Sequence, residues 1–361
     1  MPTPPTDLSA IGDLERNPER SLQFEFVRAT ENAALNSLQW MGRGDKEAAD
    51  AAACDAINGM FDLVEIRGEV VIGEGIKDNA PGIFLGDKLG RWGAEDPRFD
   101  IALDPIDGTS NISKGMPNSV SVMAAVLVPD GHERSMVNIP SFYVEKLAYG
   151  PAVAKAIRDG IVPPISLDLP FGHTLEIAAD ALGKRIGELV VTVLDRPRNQ
   201  IYIDAVRSAG ASLRLIADGD ITAAVAPSLH DSGVDLYVGR GGAPEGILTA
   251  AALKALGGDI LLRMWPRDEE ERAELMKTLT REDLDRVYHT DDLVHGENAI
   301  FCATGISDSP MLPGVKLIGK TAITHSIVMR SRSRTVRYIR AVHDLEVKTI
   351  HLRSLRGEEH L

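Results

Sequence analysis

Apolar positions along the chain fall into two rhythms. Over Leu22–Met41, the residues Leu22, Phe26, Ala29, Ala33 and Trp40 recur among polar neighbours, a spacing that predicts an amphipathic helix. An alanine-rich stretch from about Asp45 through Met60 predicts a second helix, ending near Gly59. Elsewhere apolar residues run together, at Glu69–Gly73, at Phe99–Leu103 and over the long, β-branched Ser119–Val128. Strands buried on both faces read as continuous runs of this kind. Pro163-Pro164 and Pro170 then interrupt the pattern. They mark an expected boundary between an N-terminal α/β region over 21–165 and a C-terminal α/β region over 166–361, behind a Pro-rich, mobile segment 1–20. A helix at Leu175–Leu182 and a strand at Leu189–Leu194 open the second region, and Ile221–Ala226, Val234–Val238 and Ala243–Leu256 continue the alternation of strand and helix character. The heavily charged Arg267–Arg286 predicts a solvated helical insertion, and Asn298–Ala303 and Thr321–Met329 read as late strands.

Composition narrows the classes. A length of 361 residues exceeds one small core, and 44% apolar with 25% charged residues is ordinary for a globular enzyme. Apolar runs such as Ser119–Val128 fall far short of the roughly 20 residues of a membrane span. The opening Met1-Pro2-Thr3-Pro4-Pro5 carries no basic patch followed by an apolar core, so a cytoplasmic protein is expected. Cys54 and Cys302 make no disulfide framework and are expected to be inert packing residues. A formal charge of −14 argues against nucleic acid or anionic membrane as partner. Any anionic substrate would need local positive potential from divalent cations, a few arginines or lysines, and helix N-termini.

Candidate chemistry concentrates in Asp-Ile-Ala-Leu-Asp-Pro-Ile-Asp-Gly-Thr at 100–109. An apolar strand delivers Asp104 at its end, Pro105 is expected to stop the ladder, and Gly108 permits a tight turn. Asp104 and Asp107 then converge on hard divalent cations, or are solvated acids of an ordinary strand-turn-helix. Backbone amides after Gly108 would cradle a phosphate if a helix starts there. Some thirty residues earlier, Val-Val-Ile-Gly-Glu-Gly at 70–75 places Glu74 between two glycines at a strand's carboxyl end, where α/β sheets hold ligands.

A Gly-Glu turn followed by DPIDGT resembles the lithium-sensitive, metal-dependent sugar and inositol phosphatase superfamily. More narrowly, GRGDKEAAD at 42–50, VVIGEG, DPIDGT, RPR at 196–198, DGD at 218–220 and GGAPEG at 241–246 resemble the class II fructose-1,6-bisphosphatases. These motifs occur in that family's order over roughly residues 22–340, and the Trp-Asp motif of the inositol-phosphatase branch is missing. The resemblance implies a layered αβαβα sandwich with the active site between two α/β regions. It implies Mn²⁺ or Mg²⁺ on Asp50, Glu74, Asp104, Asp107 and Glu245. Thr109 would orient or help deprotonate the attacking water, with Asp45 and Lys46 near the reacting phosphate and Asp78 in support. Asp107, Gly108 and Thr109 would also bind substrate, and the sugar and distal phosphate would be held by Tyr143, Arg196, Pro197, Arg198, Asp218, Gly219, Asp220 and Gly242. Ile76 and Asn79 depart from the family pattern, where acids are common. Taken alone, Asp50 reads as a surface helix acid, Glu245 as a first-turn acid and Thr109 as a cap.

The implied reaction is hydrolysis of the 1-phosphate of fructose 1,6-bisphosphate without a covalent phosphoenzyme. Sedoheptulose 1,7-bisphosphate presents the same reacting end, and the sequence leaves open whether it is also cleaved; the chain is expected to be a homo-oligomer, a dimer or a tetramer. An inositol- or nucleotide-phosphate phosphatase of the same superfamily is the alternative. A non-catalytic sugar-phosphate-binding regulator is another, against which the five candidate metal carboxylates count. Arg330, Arg332 and Arg334 share one face if their segment is a strand, an exposed or interface one.

Overall fold

The structure, a computed structural model, describes residues 18–73 and 82–353. Among these, fourteen strands run in chain order as β1 (Arg67–Ile72), β2 (Lys88–Leu89), β3 (Arg98–Asp107), β4 (Val120–Leu127), β5 (Tyr143–Tyr149), β6 (Val190–Leu194) and β7 (Ser212–Ile216), then β8 (Leu236–Gly242), β9 (Asp259–Met264), β10 (Val287–Tyr288), β11 (Ala299–Gly305), β12 (Lys316–Ile318), β13 (Thr321–Arg330) and β14 (Thr335–Asp344). They form an eight-stranded sheet in the order β12-β13-β11-β4-β3-β1-β2, with β14 paired to β13, and a six-stranded sheet in the order β10-β9-β5-β8-β6-β7. Pairing is parallel for β1–β3, β6–β7 and β6–β8.

Alternation along the strands builds the layers. In β3, Phe99, Ile101 and Leu103 enter a core with helices Pro18–Ser37 and Lys46–Phe61, through Phe26, Ala33, Ile57 and Phe61. Ala102 of the same strand faces the opposite way, toward helix Ala243–Leu256. That helix buries Leu248, Ala250, Ala251 and Ala252 together, so it is apolar all round, as a helix enclosed between two sheets must be. Its other neighbours come from the second sheet, with Val144, Tyr237 and Leu262 in the same core. The outer face of the second sheet offers Leu147, Val191, Val193 and Val238 to helices Phe171–Leu182 and Gln200–Ala209. The sequence of layers is therefore helix, sheet, helix, sheet, helix: the αβαβα sandwich expected.

Several elements differ from expectation. The first helix ends at Ser37 and continues as a short 3-10 turn over Leu38–Trp40. Pro105 does not end its strand: β3 continues to Asp107 through a bulge, with Asp104 opposite Val122 and Asp107 opposite Val120. Arg330, Arg332 and Arg334 do not share a strand face, because β13 ends at Arg330 and a hairpin turn carries the other two, Arg334 at φ +47°. The charged insertion holds two short helices, Glu269–Leu275 and Arg281–Asp285. Neither sheet is confined to one side of residue 165, since β5 belongs to the second sheet and β11–β14 to the first. No helix among the described residues is long and apolar enough to cross a membrane.

Candidate active site

The β3 bulge re-aims the strand's last residues, and Gly108 turns the chain at φ +92° into helix Thr109–Lys114. A side chain at Gly108 would collide with the Asn118 carbonyl oxygen, so the turn requires glycine twice over. Asp104 Oδ1 accepts a bond from the Ile106 amide at 3.0 Å. The Thr109 hydroxyl donates to the Ile106 carbonyl at 3.2 Å, which leaves its oxygen lone pairs as acceptors. Asp107 Oδ2 accepts the Ile221 amide at 3.1 Å, at the start of helix Asp220–Val225.

That contact brings the Asp218-Gly219-Asp220 turn onto the Asp104–Thr109 turn. Asp218 Oδ2 accepts the Ser110 amide at 3.0 Å. Asn118, itself left-handed at φ +75°, donates to the Asp218 and Gly219 carbonyls at 2.6 and 2.8 Å. Asn111 adds a bond to the Asp218 carbonyl at 3.2 Å. Asp220 Oδ2 accepts from Lys146 Nζ at 2.9 Å and from the Tyr237 hydroxyl at 3.0 Å. Lys146 is only 1% exposed. Gly241 and Gly242 leave the space these groups need: a side chain at Gly241 would strike the Asp220 carboxylate, and one at Gly242 the Glu245 carboxylate. Glu245 stands in the first turn of helix Ala243–Leu256, where the helix dipole favours an acid. Burial, then the charges of Asp220, Glu245 and Asp218, push the Asp107 carboxyl well above the usual range. Asp107, Asp218, Asp220 and Glu245 thus share one strongly negative field.

The arginine motif lies beyond this acidic cluster. Arg196 approaches Asp218 Oδ1 at 3.8 Å, and Pro197 opens a 3-10 turn over Pro197–Asn199. Arg198 stacks its guanidinium 4.2 Å from the Tyr143 ring and donates Nε to the Arg240 carbonyl at 2.8 Å. Asn199, fully buried, locks the turn by donating to the Leu194 carbonyl at 2.9 Å and accepting the Arg240 amide at 2.6 Å.

On the opposite side, the amides of Gly42 and Gly44 donate to the Ile112 and Ser113 carbonyls at 2.8 and 2.9 Å, docking the 42–46 loop on helix Thr109–Lys114. Asp45 caps helix Lys46–Phe61 by accepting the Ala48 amide at 2.9 Å, while Lys46 is exposed and Asp50 half-buried. Glu74 and Asp78 lie outside the described residues. Among the described residues, no three of His, Cys, Asp and Glu close into a ready cation cage. Sequence reasoning missed Asn118, Lys146, Asn199, Tyr237 and Arg240. Each acts through a partner far away in sequence, and none belongs to a local motif.

The family model for bacterial fructose-1,6-bisphosphatase, glpX-encoded, matches residues 20–343. The fructose-1,6-bisphosphatase class 2 of Haemophilus influenzae is 40% identical, over 91% of this chain and 97% of its own length. The fructose-1,6-bisphosphatase 1 class 2 of Escherichia coli K12 is 38% identical over the same shares. With the motif order, the layered fold and the joined acidic turns already in place, the chain belongs to the glpX-encoded bacterial fructose-1,6-bisphosphatase family.

Proposed function

We propose that this enzyme hydrolyses the 1-phosphate of fructose 1,6-bisphosphate to fructose 6-phosphate and phosphate, and that it requires Mn²⁺ or Mg²⁺. One observation carries the reading beyond family membership: an acidic cluster built around the buried Asp107 and Asp220 and a half-exposed arginine turn meet at the half-buried Asp218, which bonds Ser110 and faces Arg196. A substrate with two phosphates needs two unlike ends. The donors proposed for the cations are Asp50, Glu74, Asp104, Asp107 and Glu245, all carboxylates, the oxygen chemistry hard divalent ions favour. They fit electrostatically, because Asp107 is buried among other acids whose repulsion divalent charge relieves. When bound, such ions neutralise phosphate charge and acidify water.

The chain's own residues supply the positioning. Thr109, with its proton committed to the Ile106 carbonyl, accepts a hydrogen bond from the attacking water and so orients it. Lys46, exposed beside the loop docked on helix Thr109–Lys114, clamps the reacting phosphate. Asp45 or Asp78 takes the proton. Arg196 and Arg198 grip the distal phosphate, and Tyr143, Asp218 and Asp220 face the sugar. The test is phosphate release from fructose 1,6-bisphosphate, inositol monophosphate and a nucleotide phosphate, with Mn²⁺ or Mg²⁺ and after EDTA. Activity on the bisphosphate should vanish with EDTA and return with either ion. Full turnover in metal-free buffer, or preference for a monophosphate, overturns the reading.

A further inference from the structure

Behind the arginine turn, on the outer side of the second sheet, lies a cavity of about 450 Å³, within the range of small-molecule sites. One wall is apolar, with Leu169, Phe171, Ile201 and Ala205. The other is a charged network on β5, β8 and β9. Glu145, 7% exposed, accepts from Arg263 Nη2 at 2.6 Å and from the Tyr202 hydroxyl. Arg263 spends Nη1 on Asp168 at 2.5 Å, a carboxylate at the rim that is 72% exposed. Arg240 is held differently. Its guanidinium lies 4.7 Å from the Trp265 ring and 5.7 Å from the Tyr202 ring, and among the described residues its polar reach is long, 3.4 Å to Glu145 and 3.4 Å to the Arg198 carbonyl. Its Nε is buried without a hydrogen-bond partner among the described residues.

Two arginines therefore face one buried carboxylate, and the second acid, at the rim, pairs with Arg263 alone. Arg263 is engaged by both acids, so Arg240 is the cation left without a close ion pair among the described residues, its nearest carboxylate oxygen 3.4 Å away. A phosphate dianion would bring two negative charges up against Glu145, whereas a single carboxylate matches the one weakly paired guanidinium. Beside it, the apolar wall suits an aliphatic or aromatic body.

We propose that this cavity is a second ligand site, which binds a small apolar monocarboxylate on Arg240 and thereby weakens the grip of Arg198 on substrate. The coupling route is one residue long: the Arg240 carbonyl accepts Arg198 Nε and its amide bonds Asn199. A carboxylate that draws the Arg240 side chain into the cavity takes Nη1 away from the Arg198 carbonyl and loosens the turn.

Benzoate and 4-methylpentanoate serve as probes on the full chain, with inorganic phosphate as control. Calorimetry should give saturable binding of at least one carboxylate to the wild type. Ala205→Trp, which fills the cavity from its helix, should weaken that binding at least about tenfold, and Ile201→Trp, at a largely exposed rim position, should do likewise should the first variant not fold. Saturating carboxylate should raise KM for fructose 1,6-bisphosphate about fivefold with kcat unchanged, the lower range of allosteric coupling, and only in the wild type. Calorimetry does not depend on which substrate the enzyme turns over, so loss of the phosphatase reading leaves the binding test intact. No saturable binding, or binding and KM shifts that the cavity-filling variants leave untouched, overturns the proposal.

Discussion

Asp107, Asp218, Asp220 and Glu245 gather at the helix layer between the sheets, whereas Arg196, Arg198 and Tyr143 sit half-exposed at the strand ends of the second sheet. The acidic end is held by amides and one buried lysine, where glycines at 108 and 219 in turns and at 241 and 242 in β8 leave no room for side chains. The arginine end is held by a stacked ring and a backbone carbonyl. Buried like charges cost stability unless each is met, whereas a half-exposed cation keeps part of its hydration. In the proposed function, the acidic end would therefore draw on fold stability, and the arginine end mainly on orientation.

Lys146→Met tests that difference most severely. It removes the buried partner of Asp220 and leaves a carboxylate that is 6% exposed. Breaking a buried pair from one side costs about 3–5 kcal/mol, so a large fall in melting temperature is expected. Arg196→Ala, on the half-exposed side, should barely move it. Equal melting shifts in the two variants would erase the distinction between the ends.

Asp107→Asn should lower kcat by about 10²–10³-fold, the size expected when one preorganised electrostatic group is lost. In metal-free protein it should also raise stability, because the neutral amide still accepts the Ile221 bond and escapes three neighbouring acids. The pH dependence gives the sign. Burial and those acids raise the Asp107 carboxyl, so the folded state keeps its proton to higher pH than the unfolded chain. Stability of the metal-free protein then declines as pH rises from the ordinary Asp value of 3.8 toward the raised one. Chemical denaturation across pH should show that decline in the wild type and a flatter profile in the variant. Identical profiles would mean that Asp107 is not the strained member.

The first turn of the acidic end was legible in the sequence because Asp104, Asp107, Gly108 and Thr109 fall within six residues, where a strand hands over to a turn. The layers were legible too, from the continuous apolar runs of β3, β4 and β11. Lys146 was not. A lysine within Tyr-Val-Glu-Lys-Leu-Ala-Tyr breaks the apolar run and hides a central strand, and its partner Asp220 lies 74 residues away. Asn118 and Asn199 were hidden for the same reason, since their side chains bond backbone that only the fold brings near. At Pro105 the rule that proline ends a ladder lost to a bulge, which keeps the strand paired and aims Asp107 at the next turn.

The smallest expected effect falls at the arginine end. Arg198 already spends Nε on the Arg240 carbonyl, so only its outer nitrogens remain for a phosphate, and the Tyr143 ring sets their direction. Charge-assisted contacts of this kind contribute about 1.5–3 kcal/mol, so Arg198→Ala should weaken use of fructose 1,6-bisphosphate about ten-fold to a hundred-fold. The distal phosphate does not react, which makes most of that loss uniform binding, seen as a rise in KM larger than the fall in kcat. Arg198→Lys keeps the charge but cannot reproduce both the carbonyl bond and the stacked fork, so it should recover only part of the loss. Slow cleavage of a sugar monophosphate lacking the distal group should be nearly unchanged in both variants. Melting temperature should also hold, because the group is half-exposed and its turn remains locked by Asn199. If the monophosphate suffers as much as the bisphosphate, Arg198 serves the reacting end, and the division of the site into an acidic and an arginine end fails.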